Sequence, residues 1–350
     1  MAVLIYGAYG YSGTLVAERA AAIGLDFIVS GRDPGRCAAL AERLGVSSRP
    51  ARLDDPAGLD AALAGVTAVL HCAGPFAHTW RPMVDACLRQ GVHYLDITGE
   101  IEVFEGVAAR GADAARAGVM LMPGVGFDVV PTDCLAAHLK ARLPTATHLR
   151  MALCTNGRLS HGTATTMREN VHRGGCVRRD GRIVSEPTAA ETRTFDFGLG
   201  VGARRAIRVP WGDVSTAWYT TGIPNIELYA ALPLGVRLFA RASNFVRPLL
   251  AQPWVQRRMQ ARIDAAPAGP TPEQRARGRF SIYGEVEDAT GRKAAARVTA
   301  MDGYDFTALS SAAIAALVDA GQAKVGFQTP AGAFGADLCF SWPGVALTDA

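Results

Sequence analysis

The chain has 350 residues, of which 49% are hydrophobic and 19% charged, and its formal net charge is +4 at pH 7. This length predicts two domains with ordinary globular cores, and so small a charge gives no indication of nucleic-acid binding. Seven scattered cysteines, never in a C-x-x-C pair, argue against a disulfide framework or a zinc site and favour the cytoplasm.

The first predicted element is a buried strand, "AVLIY", followed at once by a glycine-rich turn and a helix. The glycine spacing is G-x-x-G-x-x-G, which differs from the G-x-G-x-x-G of the usual dinucleotide fingerprint. In such a unit, bare backbone can approach a pyrophosphate, and the amino terminus of the helix offers it N–H groups. We therefore predict a dinucleotide site, against the alternative of a tight turn without a ligand. The residues expected to contact the cofactor here are Gly7, Tyr9, Gly10, Tyr11, Ser12 and Gly13.

The end of the second strand, in "DFIVSGR", indicates which dinucleotide is bound. NAD sites usually carry a carboxylate at this point, which holds the ribose 2′-hydroxyl. Here the strand ends in Ser30, Gly31 and Arg32, and a guanidinium attracts the 2′-phosphate that a carboxylate would repel. Arg36 is a second phosphate contact, whereas Asp33 is expected to cap the next helix. NADP is therefore the predicted cofactor, and the alternative for Arg32 is a solvated turn arginine.

Strands and helices continue to alternate to about residue 125. The pattern predicts a third strand at 49–54, a fourth that ends before "GPFAHTW", a helix at 103–118 and a sixth strand in "VMLMPGVG". Such alternation requires a doubly wound parallel sheet in an α/β fold, and the ligands of these sheets lie at the carboxyl ends of the strands. The loop after the fourth strand is therefore expected to contact the cofactor, through Ala73, Gly74, Pro75 and Phe76.

The pattern changes after about residue 131. Strands are predicted in "HLRMALCT", "RRAIRVP", "DVSTAWYTTGI" and "NIELYAAL", and hairpins turn at Asp180–Gly181 and Ala289–Gly291. Short turns between consecutive strands favour a second α+β domain with a mainly antiparallel sheet. A basic amphipathic helical stretch from Leu234 to Ile263 interrupts these strands, and an apolar helix, "TALSSAAIAALVDAG", follows them.

Four motifs occur in a fixed order: a G-A-x-G-Y-S-G turn at 7–13, "GPF" at 74–76, "HYLDITGE" at 93–100 and "GFDVVPTD" at 126–133. In these motifs the chain resembles the saccharopine dehydrogenase-like reductases, a family that includes the trans-acting enoyl reductases. The later patterns "TTGIPNIELY" and "GFQTPAGAFGAD" are similar too, so the resemblance covers essentially the whole chain.

The resemblance implies a Rossmann domain at 1–130 that binds NADP, a substrate domain at 131–305, and a carboxyl-terminal segment, 306–350, that returns to the Rossmann domain. It also implies an NADP-dependent oxidoreductase that transfers a hydride from NADPH to a C=C (enoyl) or C=N (imine) bond. The substrate is then a small or lipid-like molecule, and nothing in the residues decides between the two bonds.

Three residues are candidates for catalysis. Glu100, after the fifth strand, is expected to orient the nicotinamide or the substrate, or else to satisfy a helix amino terminus. Asp128 lies where the first domain passes to the second, a usual place for a cleft, and helix capping is its alternative role. His161 is a candidate proton donor, although a lone histidine is more often packed or solvated. The sequence has no Tyr-x-x-x-Lys pair, which excludes the short-chain dehydrogenase mechanism, and no metal-binding motif.

The basic helical stretch from Leu234 to Ile263 allows more than one kind of partner. It docks on a membrane surface or on a larger synthase, or it packs on the second domain. Arg237, Arg241 and Arg247 interrupt it, so no transmembrane helix is expected, and the amino terminus does not read as a signal peptide. The alternative function is a dinucleotide-binding scaffold or partner protein without turnover. A homodimer is also expected, with a small molecule and no nucleic acid as ligand.

Overall fold

The computed structural model describes residues 2–198 and 200–350, which form two compact units. Unit 1 contains Met1–Val130 and Tyr304–Ala333, and unit 2 contains Pro131–Gly303 and Phe334–Ala350. Within the described residues, every helix is too short or too polar to cross a bilayer.

The first part of the chain alternates strands and helices. Its elements are β1 (Ala2–Tyr6), α1 (Tyr11–Ala22), β2 (Phe27–Ser30), α2 (Pro34–Leu44), β3 (Ser47–Ser48), α3 (Pro56–Leu63), β4 (Val66–His71), α4 (Phe76–Gln90), β5 (His93–Asp96), α5 (Ile101–Ala108), α6 (Gly111–Ala117) and β6 (Met120–Met122).

The middle part carries most of the longer strands. Its elements are α7 (Val130–Arg142), β7 (Ala146–Thr155), α8 (His161–Asn170), β8 (Gly175–Arg179), β9 (Arg182–Glu186), β10 (Thr192–Asp196), β11 (Ala203–Arg208), α9 (Asp213–Thr221), β12 (Asn225–Ala230), α10 (Leu234–Ser243), α11 (Arg247–Leu250), α12 (Pro253–Asp264), α13 (Pro272–Arg277), β13 (Arg279–Asp288) and β14 (Lys293–Met301). The last part consists of α14 (Gly303–Leu317), a π-helical turn (Val318–Gln322), β15 (Gly326–Phe327), α15 (Pro330–Phe334) and β16 (Ala346–Asp349).

The sheet of unit 1 is parallel throughout, in the order β15-β6-β5-β4-β1-β2-β3. Val3, Ile5, Val29 and Leu70 have no exposed surface, because helices cover both faces of a doubly wound sheet; this explains the continuous apolar runs of the sequence. The order of strands β1 to β6 is that of the Rossmann fold. The predicted fold class is confirmed for this unit.

The strand order reverses at β1, which lies between β2 and β4. Tyr6, the last residue of β1, pairs with Ser30 on one side and with His71 on the other. The three loops that follow these strands therefore leave the sheet at the same level. Dinucleotides bind in the crevice at such a reversal.

Two predicted elements of unit 1 differ from the structure. The third strand was expected at 49–54, but β3 ends at Ser48, because Pro50 lacks the N–H that a ladder needs. The helix expected at 103–118 is two helices, α5 and α6. A Cβ at Gly111, where α6 begins, would lie 3.2 Å from the Cβ of Phe327, so the helix breaks where β15 packs closely against it.

The sheet of unit 2 has the order β10-β11-β12-β7-β13-β14-β16, and β8 pairs with both β12 and β9. Only β12 and β7 run parallel among its pairs of described strands. The predicted second α+β domain with a mainly antiparallel sheet is therefore confirmed. Leu149, Met151 and Val286 are fully buried and form part of its core.

The segment "DVSTAWYTTGI", predicted as a strand, forms helix α9. Val214, Ala217 and Thr221 are buried, and their spacings of three and four residues place them on one helical face. Gly222 ends the helix in the left-handed conformation, with φ of 66°. The β-branched and aromatic residues suggested a strand, but packing of this face overrides that propensity.

The basic stretch from Leu234 to Ile263 is divided into three helices, α10, α11 and α12. Pro248 and Pro253 lie in the first turns of α11 and α12. A proline is tolerated there but ends any helix that precedes it, since it removes a backbone donor and clashes with the preceding turn.

The carboxyl-terminal residues are divided between the two units. Strand β15 pairs parallel with β6 at the edge of the unit 1 sheet. The prediction assigned all of 306–350 to this return, but the structure places 334–350 in unit 2. There β16 pairs with β14, with Leu347 opposite Val298, because the exposed edge of β14 offers unpaired backbone groups to this last strand.

Candidate functional site

The glycine turn of unit 1 is shaped by close backbone contacts. Gly7 has φ of 75°, a conformation that favours glycine, and a Cβ there would lie 2.8 Å from the Cβ of Ala73. A Cβ on Gly13 would overlap the carbonyl oxygen of Gly7, and one on Gly10 would lie 3.2 Å from the same oxygen. Close contacts therefore explain why each of these three positions is a glycine. The contact with Ala73 also shows that the turn packs directly against the loop after β4.

Helix α1 begins at this turn without a side-chain cap. Gly10 is the cap residue, and it has no side chain that could accept a hydrogen bond from the first turn. The positive end of the helix dipole is thus directed at the crevice, as an anion site requires. Ser12 and Gly13 follow in the first turn, while the ring of Tyr11 packs edge-on against Tyr304, with the ring centroids 5.1 Å apart.

An arginine and a tyrosine are fixed together at the end of β2. The Arg36 guanidinium lies over the ring of Tyr9, 4.3 Å from its centroid, and Nη2 donates to the Tyr9 carbonyl over 3.1 Å. A Cβ on Gly31 would lie 2.5 Å from the Tyr9 ring, so the glycine makes room for that ring. Asp33 accepts from the backbone N–H of Arg36 and caps α2. Arg32 is exposed beside them.

Two of the predicted cofactor residues turn away from the crevice. The Ser30 side chain is fully buried, and its hydroxyl donates to the carbonyl of Arg49 over 2.7 Å; its own carbonyl accepts from the N–H groups of Gly7 and Ala8. Phe76 is also buried, against the ring of His71. These side chains support the turn and the loop from behind rather than facing a ligand.

The loop after β4 is held by its own helix. Thr79 of α4 donates its hydroxyl to the carbonyl of Ala73 over 2.7 Å, and the Gly74–Pro75 peptide bond is cis. Gly74 is exposed, and Ala73 and Pro75 are half-buried. Thr79 was not predicted; its position three residues after Phe76 was the only signal.

His71 is a neutral histidine in the core below this loop. It is fully buried, and its Nε2 lies 3.0 Å from the Thr79 hydroxyl oxygen. Since that hydroxyl donates to Ala73, Nε2 carries the proton, and Nδ1 is left without a partner among the described residues. Burial lowers the pKa of His71 to about 3, so its imidazole stays neutral and packs as part of the core.

Glu100 binds the amino terminus of α4. Its Oε1 accepts from the N–H of Phe76 over 2.8 Å, and its Oε2 accepts from the N–H of Ala77 over 3.0 Å. The carboxylate thus satisfies two orphan donors of that helix and the positive end of its dipole. It joins the loop after β5 to the loop after β4, so its observed contacts are those of the helix-capping alternative.

Asp96 organises the same edge and was missed as a site residue. It is fully buried and accepts from the Tyr94 hydroxyl over 2.6 Å and from the N–H groups of Thr98 and Gly124, both over 2.9 Å. Burial, with a smaller effect of the Glu100 charge, raises its pKa to about 6. Its place in "HYLDITGE", at the end of a strand, was the available signal.

Asp128 lies over the loop after β5. A Cβ on Gly99 would be 3.1 Å from the Cγ of Asp128, so that glycine leaves space for the carboxyl group. Burial, with a smaller effect of the Glu100 charge, raises the pKa of Asp128 to about 6. At this pKa the carboxyl group can hold and release a proton near neutral pH.

His161 is in unit 2, at the first residue of α8. Its Nε2 lies 2.7 Å from the carbonyl oxygen of Ala266, so the imidazole is tied to the loop after α12. Its backbone N–H donates to Ala268.

The crevice of unit 1 fits a dinucleotide phosphate. Any side chain at Gly7, Gly10 or Gly13 would fill the space inside the glycine turn. The turn leads into α1, whose first turn has no side-chain cap. Arg32 and Arg36, with the ring of Tyr9, offer cations and a flat surface where a 2′-phosphate and an adenine would lie. Among the described residues, no group of three or more histidine, cysteine or acidic side chains could hold a metal ion.

Comparisons with known proteins agree with this geometry. Residues 3–122 match the family described as "Saccharopine dehydrogenase NADP binding domain". The predicted resemblance is thus confirmed, as is NADP as the cofactor of this domain. The chain is 27% identical over 214 residues to a trans-acting enoyl reductase of Mycobacterium ulcerans, covering 57% of this chain and 51% of that protein.

A trans-acting enoyl reductase of Mycobacterium bovis BCG is 32% identical over 139 residues, which cover 37% of this chain and 33% of that protein. The chain thus spans about half the length of these relatives, or less. Apo saccharopine dehydrogenase (L-Glu forming) of Saccharomyces cerevisiae shares the fold, with a TM-score of 0.67 over 99% of both chains at 13% identity.

Proposed function

We propose, from the match of residues 3–122 to the saccharopine dehydrogenase NADP binding domain, that the chain is an NADPH-dependent reductase. The observation that carries this proposal is the glycine turn, packed against Ala73 at the strand-order reversal and ending at an uncapped helix. The bond reduced is the C=C bond of a small or lipid-like enoyl substrate. The names of the mycobacterial relatives support that choice over a C=N bond.

The residues of the chain bind and orient the reactants. The glycine turn and the first turn of α1 hold the pyrophosphate, and Arg32 and Arg36 hold the 2′-phosphate. NADPH supplies the hydride when bound, and the protein contributes placement. Glu100 is a positioning residue, because it fixes the loop at Ala73–Phe76 through the amino terminus of α4.

Reduction of a C=C bond also needs a proton on the second carbon. Asp128 is the proposed donor, since its raised pKa of about 6 keeps a protonated fraction near neutral pH. His161 is the second candidate. Asp128 is preferred because the His161 imidazole is engaged by the Ala266 carbonyl.

The test is NADPH oxidation with enoyl thioesters, with cyclic imines, and with keto acid plus amine pairs. Oxidation with enoyl thioesters alone supports the proposal, whereas oxidation with imines alone overturns the assigned bond. Tight NADPH binding without turnover of any substrate indicates the alternative, a dinucleotide-binding scaffold or synthase partner. The absence of NADPH binding overturns the function as a whole. Self-association as a homodimer stays a prediction, to be measured by sedimentation velocity.

A further inference from the structure

The segment 234–263, which contains α10, α11 and all of α12 except its last residue, Asp264, is called here the helical surface and exposes an unusual amount of apolar area. The described residues include fourteen exposed large hydrophobic side chains, and eight of them lie between 234 and 254. Phe245 is 89% exposed. The eight are Leu234, Val236, Leu238, Phe239, Phe245, Val246, Leu249 and Trp254. Soluble surfaces rarely collect apolar side chains in this way unless something covers them.

The charge of the helical surface has a single sign. Residues 231–263 contain no aspartate and no glutamate. They contain six arginines, at 237, 241, 247, 257, 258 and 262. A second copy of the same surface would therefore meet it with like charges, which disfavours a symmetric dimer through this segment.

A basic pocket opens beside the apolar side chains. It has a volume of about 180 Å³, and Arg205, Arg237 and Arg241 line it together with Thr192, Leu234 and Leu238. Arg241 donates to the Thr192 hydroxyl over 2.8 Å. The Nε of Arg237 is shielded from solvent and has no acceptor among the described residues. No carboxylate lines the pocket, so its chemistry suits an anionic group such as a phosphate.

We propose that the helical surface docks on a lipid bilayer that carries anionic headgroups. The apolar side chains enter the boundary between headgroups and acyl chains, and a headgroup phosphate is held among Arg205, Arg237 and Arg241. Arginine beside leucine, phenylalanine and tryptophan on consecutive helices is the composition of interfacial helices. A bilayer accepts apolar side chains spread along three short helices, whereas a protein partner needs a matched pocket for each anchor.

The experiment is flotation of the full-length protein with phosphatidylcholine vesicles, with and without phosphatidylglycerol, at low and at high salt. We expect binding to the anionic vesicles that weakens at high salt. Each arginine changed to glutamine, in Arg237→Gln or Arg241→Gln, should weaken binding about fivefold. The double variant Leu238→Glu/Phe239→Glu should lose it. The matched control is Val325→Glu, an exposed apolar residue of unit 1, which should bind like the unchanged protein.

An unchanged circular dichroism spectrum and thermal unfolding transition show that each variant is folded, because retained NADPH affinity would report only on unit 1. Equal binding to neutral vesicles, or full binding by the double variant, overturns the proposal. The proposal is also overturned if the protein does not bind vesicles but dimerises in a concentration-dependent way, and the double variant abolishes this dimerisation. The helical surface is then an interface between copies of the chain. Binding of an acidic carrier protein without vesicle binding also overturns the proposal. None of these results depends on turnover, so they are independent of the proposed reductase activity.

Discussion

Arg32 and Arg36 differ in how firmly the structure holds them. Arg36 is fixed by the ring and carbonyl of Tyr9, whereas Arg32 is exposed. We expect Arg32→Ala to weaken NADPH binding by about 1.5–3 kcal/mol, the value of a charge-assisted contact, and to leave NADH binding nearly unchanged. Isothermal titration with both cofactors measures this difference.

The control for that change is Arg43→Ala. Arg43 is in the same helix as Arg36 but pairs with Glu18 over 2.8 Å, so its loss should leave both affinities within about twofold. If Arg32→Ala weakened NADPH and NADH equally, the contact would not be to the 2′-phosphate.

The proposed role of Asp128 predicts how kcat/KM depends on pH. If its carboxyl group donates the proton, kcat/KM should be level below a pH of about 6 and fall about tenfold per pH unit above it. Asp128→Asn should lower kcat/KM by about 10²–10⁴-fold and remove that fall. The control is Asp60→Asn, since Asp60 pairs with Arg89 on the surface. If kcat/KM of Asp128→Asn still fell above a pH of about 6, the proton would come from another group.

The same carboxyl group affects stability. Its pKa is raised on folding from 3.8 to about 6, so its contribution is fully present below the lower value and is lost as pH rises through the higher one. The free energy of unfolding of Asp128→Asn should therefore change less than that of the unchanged protein between these two pH values, as urea titrations would show.

At the scale of elements, Glu100 connects two loops through one helix end. Glu100→Ala leaves the N–H groups of Phe76 and Ala77 without their acceptor, so we expect a loss of about 1–3 kcal/mol in the free energy of unfolding. NADPH affinity should fall as well, because the loop at Ala73–Phe76 loses its support. Glu102→Ala, at an exposed position of α5, should cost less than about 0.5 kcal/mol. Equal losses in both variants would remove Glu100 from this role.

The sequence predicts well those elements whose hydrophobic pattern follows directly from their burial in the sheet. β1 and the glycine turn could be predicted because a doubly wound sheet hides both faces and because the turn needs bare backbone. α9 could not, since its β-branched and aromatic residues favour a strand until the packing of Val214 and Ala217 is known.

The site was predictable in part for a similar reason. The spacing of Gly7, Gly10 and Gly13 between a predicted strand and a predicted helix was enough to predict a phosphate-binding turn. The contacts of Ser30 with Arg49 and of Asp96 with Gly124 join loops that are far apart in sequence. Such contacts depend on strand order, which local pattern does not contain.

At the scale of the whole molecule, unit 1 is built from two stretches of the chain that are far apart in sequence, 1–130 and 304–333. The Ser310 hydroxyl donates to the carbonyl of Val125 over 2.8 Å, and Thr307 accepts from the N–H of Phe127. We expect a fragment of residues 1–130 to unfold without a cooperative thermal transition and to bind no NADPH. Joining it to 304–333 through a flexible linker should restore both properties, as calorimetry and cofactor titration would show. Full NADPH affinity in the shorter fragment would contradict this prediction.

The interleaved chain also constrains biosynthesis. During translation, β6 emerges long before β15, and the whole of 131–303 must be made between them. At about 5–20 residues per second, this interval is on the order of ten seconds to half a minute. Until then, the nascent polypeptide presents an unpaired strand edge that can join a neighbouring chain on the same polysome. Ribosome-associated chaperones would thus be needed most in that interval.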